Sequence, residues 1–238
     1  MEIYAVRIRD MCLKEVNNIC SSFSSEKKYT LEKYTNKLDR IRSLLGELLI
    51  RTVAINRLRI DNNSLTFDKN QFGKPFLKGY PKFHFNISHS GDYVVCAISN
   101  SLIGIDIEKI NQIDYEAIAK DFFSSPEYLY ITQNDKHNNL KKFYNIWTLK
   151  ESFIKCCGIG LSMPLDTFTI IKNHNHIRVA SAKGEFKTRY YFKLFDIDRE
   201  YKLAVCSLDR TFPEKVTLIN QESLITNYYN LVSNGGLA

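Results

Sequence analysis

Asp106 and Glu108 are separated by one residue in Ile103-Gly104-Ile105-Asp106-Ile107-Glu108. Along a β-strand side chains alternate between faces, so the two carboxylates point one way while Ile105 and Ile107 point the other. Like charges that close require a shared proton, a basic partner or a cation. Oxygen-only ligation, with no His or Cys nearby, suits Mg²⁺, which takes one or two carboxylates and completes its shell with water and phosphate oxygens. The spacing alone is equally that of an ordinary strand with one wet face. What distinguishes the two readings is the company the pair keeps.

Two other stretches offer that company. From about Leu140 to Cys157 a helical period places Phe143, Ile146, Trp147, Phe153, Ile154 and Cys157 on one arc, with Glu151 and Lys155 one turn apart at its edge. Lys150 falls on the arc itself, where a lysine must snorkel or find a partner. The plain reading is a snorkelling lysine beside a surface Glu151–Lys155 pair. The functional one makes Glu151 a third carboxylate facing Asp106 and Glu108, with Lys155 meeting a phosphate. In Phe85-Asn86-Ile87-Ser88-His89-Ser90 a strand runs into a polar turn whose hydroxyls and imidazole could hold an anion or simply cap a hairpin. A Ser/His hydrolase lacks its G-x-S-x-G elbow, and no G-x-x-x-x-G-K-[ST] or G-x-G-x-x-G loop occurs. His174 and His176 could share a face, but two ligands without a third read as exposed loop histidines.

The elements around these residues are legible in outline. Met1 to Arg9 alternates like a strand, Ser24-Ser25-Glu26 opens a helix, and a longer helix runs from about Asn36 to Arg59. Leu65–Phe67 reads as a short strand, followed by a turn at Phe72–Pro75 with Lys74 at its tip. Phe83–Ser88 and Tyr93–Ser99 form a strand pair across His89-Ser90-Gly91-Asp92. Beyond the carboxylate strand, Asp114 caps a helix through Lys120, and Ser125 caps another with Pro126 at its first position. Gly158 and Gly160 end the Leu140–Cys157 helix, and strand patterns follow at 167–171, 177–180, 186–194 and 203–208. Leu45-Gly46-Glu47-Leu48-Leu49-Ile50-Arg51 resembles Leu149-Lys150-Glu151-Ser152-Phe153-Ile154-Lys155, and Tyr93–Ala97 resembles Tyr201–Cys206 in the same order. The halves therefore read as a duplication, an α+β protein of two similar α/β subdomains, 1–103 and 104–225, with 226–238 as a tail outside the fold. The carboxylate strand then opens the second half at the junction, where small-molecule clefts form.

At 238 residues with 44% hydrophobic and 25% charged side chains, the composition is that of an ordinary globular protein. No apolar run approaches a membrane span and no signal-peptide core opens the chain, so a cytoplasmic location is expected. The six cysteines show no C-x-x-C pair and read as small buried hydrophobes in a reducing compartment. A net charge of +7 favours an acidic partner. Nucleic acid would satisfy that charge, but no base-stacking motif is evident and the acidic residues would have no purpose.

Taken together and in order, Phe72-Gly73-Lys74-Pro75, Phe85–Ser90, Ile103–Glu108, Phe122-Phe123-Ser124 with Glu127, and Trp147-Thr148-Leu149-Lys150-Glu151-Ser152 through Lys155, Gly158, Gly160-Leu161 and Pro164 resemble the 4'-phosphopantetheinyl transferases of the Sfp type, bacterial enzymes that activate nonribosomal peptide synthetases. The likeness runs from Met1 to about residue 225. It implies the pseudo-twofold fold, coenzyme A bound between the halves, and Mg²⁺, with Mn²⁺ as the alternative. It further implies Asp106, Glu108 and Glu151 as metal ligands, Lys155 on the pyrophosphate, Ser88 and His89 on the coenzyme's phosphates, Lys27 and Ser43 on its 3'-phosphate, and Phe72, Gly73, Lys74 and Pro75 around adenine. Thr30 stands where the family often has a second lysine, which leaves Lys28 or Lys33 to compensate. The implied reaction is attack by a carrier-protein serine on the β-phosphorus of coenzyme A with 3',5'-ADP leaving, Glu151 serving as ligand or as base. The implied partners are acidic peptidyl or acyl carrier domains docking on a monomer near Asn111–Ser125 and the segment after Gly158. A metal-dependent phosphohydrolase is the rival reading, told apart by whether water or a protein serine receives the group.

Overall fold

In the computed structural model residues 1–133, 138–173, 176–181, 186 and 188–233 are described. The chain runs β1 (Glu2–Arg7), α1 (Leu13–Cys20), α2 (Ser25–Glu32), α3 (Lys37–Leu58), β2 (Phe67–Lys69), β3 (Pro75–Leu77), β4 (His84–Ser90) and β5 (Tyr93–Ser99). It continues with β6 (Ile103–Lys109), α4 (Tyr115–Phe122), α5 (Ser125–Thr132), α6 (Asn139–Cys157), β7 (Phe168–Asn173), β8 (His176–Ser181), β9 (Tyr191–Phe195) and β10 (Tyr201–Ser207). The same succession thus occurs twice: a strand, three helices of which the third is longest, a short hairpin, and two more strands. The sheets repeat it, with β1-β5-β4 in the first half and β6-β10-β9 in the second, all antiparallel. The duplicated α+β architecture expected from the weak repeat is the one observed.

Local chemistry sets the long helices. The Asn36 side chain accepts the Leu38 and Asp39 amides at the start of α3, and Arg59 closes it in the left-handed region at φ 55°. Gly158, at φ 71°, closes α6 without the strain a side chain would bring. The α5 cap is Ser124, one residue before the expected Ser125, because its hydroxyl and Glu127 make a reciprocal capping box. α3 buries Ile41, Leu44, Leu45, Leu48 and Leu49 on the first sheet, and α6 buries Phe143, Ile146, Leu149 and Phe153 on the second.

The two sheets meet along β4 and β6. Asn86 Oδ1, Ser88 Oγ and Ser90 Oγ accept the amides of Ile105, Ile107 and Lys109 at 2.8, 3.4 and 3.0 Å. Side chains spaced by two residues on β4 take the place of a backbone ladder to the free edge of β6, satisfying donors that burial would otherwise leave unpaired. Of the expected turn His89-Ser90-Gly91-Asp92, the first two residues are strand: β4 continues to Ser90, and Gly91 and Asp92 alone make the turn. On the other side of β6 the helix α6 comes close because Gly104 has no Cβ; one there would overlap the Ser152 carbonyl oxygen and the Cys156 amide nitrogen.

The end of the chain corrects the expectation of a tail. β11 (Thr217–Ile219) pairs in parallel with β1, and α7 (Gln221–Ser233) packs on α3 with Leu224 and Tyr228 buried. Residues 226–233 are thus helical and belong to the first half; 234–238 lie outside the described residues, as does His174. His176 is exposed. Among the described residues no helix is long and apolar enough to cross a membrane, and all six cysteines are free thiols.

Candidate active site

On β6 the alternation holds. Ile103, Ile105 and Ile107 enter the core between the sheets, and Asp106 and Glu108 project from the opposite face. Asp106 is 2% exposed. Its Oδ1 accepts the Lys155 ammonium at 2.5 Å and the Ser88 hydroxyl at 3.0 Å, and Lys155 also reaches Ser88 Oγ at 3.1 Å. A lysine from the last turns of α6, a serine from β4 and an aspartate from β6 are thereby brought together across the junction. Glu108 Oε2 accepts the Ser90 hydroxyl at 2.7 Å. Glu151, one turn before Lys155, has no hydrogen bond or ion pair among the described residues, so the surface Glu151–Lys155 pair does not form; Lys155 turns to Asp106 instead.

Burial dominates the electrostatics. It pushes the Asp106 carboxyl above its usual range against the pull of Lys155. Burial and then the neighbouring Asp106 carry Glu108 up to about 7. Glu151 is raised by burial and by Asp106. The three carboxylates therefore sense one another as a single concentration of negative charge, with Lys155 as its cation. Asp106 Oδ2 is buried without a hydrogen-bond partner, an acceptor that a cation would satisfy. Among the described residues no three His, Cys, Asp or Glu side chains enclose a metal-sized site by themselves. Mg²⁺ needs only one or two protein carboxylates when water and substrate phosphate supply the rest, so the donor set fits that ion.

The other face of β4 borders an open cavity of about 790 Å³, within the size range of small-molecule pockets. Phe85, Ile87 and His89 point into it while Asn86, Ser88 and Ser90 face β6, so one strand separates cavity from carboxylates. Burial and then the Arg42 guanidinium hold His89 below the usual imidazole range, leaving a neutral ring with one N–H to donate. Of the residues assigned to coenzyme A by resemblance, Lys27, Ser43, Pro75 and His89 line this cavity. Phe72 and Gly73 do not. Lys74 is turned away from it, its ammonium donating to the carbonyls of Ile103 and Cys156 at 2.9 and 3.3 Å, where it ties the β2–β3 hairpin to the second half. Neither Lys28 nor Lys33 lines the cavity; the Lys33 ammonium sits over the Tyr29 ring at 4.3 Å.

Lys150 departs most from expectation. It does not snorkel: it is fully buried, donating to both Glu127 carboxylate oxygens at 2.6 and 2.7 Å and to the Phe168 carbonyl at 2.7 Å. Burial lowers its pKa to about 8 despite Glu127. Glu127 in turn accepts the Ser124 and Ile170 amides, so one carboxylate fastens α5, α6 and β7. The capping-box spacing of Ser124 to Glu127 was the sequence signal for part of this role. Asn86 and Ser90 gave none, since their partners are backbone amides of a distant strand.

Both halves match described family models: residues 102–206 the 4'-phosphopantetheinyl transferase superfamily, and residues 11–101 the 4'-phosphopantetheinyl transferase N-terminal region. The 4'-phosphopantetheinyl transferase Sfp of Bacillus subtilis is 38% identical over 226 residues, covering 94% of this chain and all of that protein. The 4'-phosphopantetheinyl transferase gsp of Aneurinibacillus migulanus is 41% identical over 210 residues, covering 87% of this chain and 86% of its own. Among solved structures, a holo-(acyl-carrier-protein) synthase of Bacillus anthracis in complex with CoA (3',5'-ADP) aligns with 44% of this chain and 92% of its own at 14% identity and a TM-score of 0.38, a likeness too slight to build on. With relatives this similar along nearly its whole length, the chain belongs to the 4'-phosphopantetheinyl transferases.

Proposed function

We propose that this protein transfers the 4'-phosphopantetheine of coenzyme A to a serine of an apo peptidyl or acyl carrier protein, releasing 3',5'-ADP. The observation that carries the reading is the meeting of Asp106, Lys155 and Ser88 beside Glu108 and Glu151, at the junction of two halves that both match the family. Of Asp106, Glu108 and Glu151, one or two would supply the protein oxygens for Mg²⁺, or Mn²⁺ in its place, with water and substrate phosphate completing the shell. Such an ion stabilises negative charge developing on the phosphoryl oxygens.

The chain's own residues do the remainder. The nucleotide lies in the cavity lined by Lys27, Ser43, Pro75 and His89, and the neutral His89 donates its N–H to a phosphate oxygen. The carrier serine oxygen forms a bond to the β-phosphorus as the bridging oxygen to 3',5'-ADP leaves with the bonding pair. Lys155 neutralises the departing phosphate, and its short contact to Asp106 keeps its ammonium in place without reorganisation. Glu151, alone of the three carboxylates without a hydrogen-bond partner among the described residues, accepts the serine proton through water. Its raised pKa strengthens it as a base.

The net charge of +7 suits an acidic carrier partner. Exposed Ile113, just before α4, and Phe122, its last residue, lie in the segment expected to meet it. Six free thiols suit a reducing cytoplasm, and the chain acts as a monomer in this reading. Incubation with coenzyme A, Mg²⁺ and a panel of apo-carrier proteins is expected to add one phosphopantetheine to the carrier by intact mass. Absence of transfer to every carrier overturns the reading, and so does release of free phosphopantetheine to water in its place.

A further inference from the structure

The repeat that aligns Tyr93 with Tyr201 puts a tyrosine at the start of β5 in the first half and of β10 in the second. Both are buried in the core between the sheets, their rings edge to face at 4.9 Å. Their hydroxyls are used differently. Tyr201 reaches across the junction to the β4–β5 turn, its oxygen accepting the Asp92 amide at 2.9 Å and donating to Asp92 Oδ2 at 3.5 Å. Among the described residues the Tyr93 hydroxyl makes no hydrogen bond; its ring packs on Tyr201 and lies 5.8 Å from the Arg7 guanidinium. The duplication supplied two equivalent tyrosines, and the hydroxyl that crosses the junction is the one on the turn beside the carboxylates.

That turn is shaped for the approach. Gly91 holds φ +53°, and a Cβ there would overlap the Tyr201 hydroxyl oxygen and stand 2.8 Å from Lys109 Cδ. The Gly91 carbonyl accepts Arg42 Nε and Nη2 at 3.1 and 2.6 Å, and the Asp92 carbonyl accepts the Ile8 amide at 2.7 Å. Arg42 on α3 and Ile8 after β1 belong to the first half, so they fix the turn to its own sheet. From the second half come the Tyr201 hydroxyl and the Lys109 ammonium. The latter lies 3.8 Å from Asp92 Oδ2 in a partly exposed pair that water screens. Immediately before the turn, Ser90 Oγ accepts the Lys109 amide at 3.0 Å and donates to Glu108 Oε2 at 2.7 Å, and His89 borders the cavity.

We propose that Tyr201 is a positioning residue for transfer: through the Asp92 amide its hydroxyl holds His89 and Ser90, at the end of β4, in register with Glu108 on β6. The inference rests on the proposed transferase reading. It assigns Tyr201 no contact with substrate; the residue acts by joining the half that carries His89 to the half that carries the carboxylates.

The test compares wild type, Tyr201→Phe and Tyr93→Phe, each substitution deleting one oxygen and keeping the ring. Amide exchange followed by NMR reads the tie itself, and kcat and the KM for coenzyme A in carrier loading read its consequence. In Tyr201→Phe the Asp92 amide is expected to exchange at least about tenfold faster. Its kcat should fall about tenfold with KM within about threefold, while Tm drops by no more than about 4 °C. Tyr93→Phe should leave Asp92 exchange and kcat within about twofold of wild type. Unchanged exchange at Asp92 in Tyr201→Phe, or faster exchange with kcat within about twofold of wild type, overturns the proposal. Equal loss of kcat in the two variants overturns it as well, because loosened packing between the sheets then accounts for the effect. Wild type that loads no carrier removes the transferase reading, and the positioning role with it, whatever exchange at Asp92 shows.

Discussion

Gly104→Ala should inactivate the protein with little loss of fold. The methyl group would stand 2.9 Å from the Lys155 carbonyl carbon and closer still to the Ser152 oxygen and the Cys156 nitrogen, where ordinary contact begins near 3.4 Å. All three are backbone atoms of α6, so no side chain can swing aside, and relieving the closest of them, the Ser152 oxygen, requires the helix to retreat from β6 by about 1 Å. Overpacking of this kind costs about 1–3 kcal/mol, and each kcal/mol lowers Tm by roughly 2–4 °C in a chain of this size. The same retreat carries Lys155 and Glu151 away from Asp106 and stretches the 2.5 Å contact. A displacement approaching 1 Å costs on the order of 100-fold in rate, far more than the stability change suggests. The assay pairs thermal unfolding with mass-detected carrier loading at saturating coenzyme A. Gly79→Ala is the comparator: its φ of +85° makes the substitution strained, yet nothing lies within 4 Å, so it should lower Tm by a similar margin and spare activity. Gly104→Ala loading carrier within about twofold of wild type would refute the argument that this close approach positions the site.

Three further outcomes are expected. Lys150→Met leaves Glu127 buried and unpaired and should destabilise by about 3–5 kcal/mol in urea unfolding, much of it recovered when Glu127→Gln is added; equal stability of single and double variants contradicts the pairing. Glu108, raised to about 7, binds its proton more tightly folded than unfolded. Its contribution to stability is therefore full below the ordinary glutamate pKa and lost as pH rises through about 7. Mg²⁺ competes with that proton, so stabilisation by Mg²⁺ should grow between about pH 6 and pH 8, and a Tm difference independent of pH argues against Glu108 as a ligand. Tyr228→Ala opens a cavity between α7 and α3 beside Phe23, 5.8 Å away by ring centroids, and should cost about 3 kcal/mol by chemical denaturation; a neutral effect would mean that α7 does not hold the first half together.

The alternation of β6 was legible because it is a local property, and it placed Asp106 and Glu108 on one face before any partner was known. The long helices were equally legible, their period and caps lying within the segment that folds. What escaped depends on groups distant in sequence. Ser90 resembled a turn residue, and Asn86 and Ser88 ordinary strand residues, because the backbone amides all three satisfy belong to β6, some nineteen positions away. Lys150 looked like a snorkelling lysine because Glu127 is on another helix. Lys74, at the tip of a turn, was expected to face a ligand; two carbonyls of the second half draw it inward instead. Helix α7 carries Leu224, Ile225, Tyr228, Leu231 and Val232 against the first core, but the polar residues between them and its place at the end of the chain let it pass for a tail.

Transfer depends most directly on the carboxylates of β6 holding the cation. The measurement that tests it is intact-mass detection of carrier loading across a Mg²⁺ titration, wild type beside Glu108→Gln. Loading by wild type should require Mg²⁺ and saturate, with the Glu108→Gln curve displaced to at least about tenfold higher Mg²⁺. Wild-type loading undiminished in excess chelator, or a Glu108→Gln curve that overlays wild type, would contradict it.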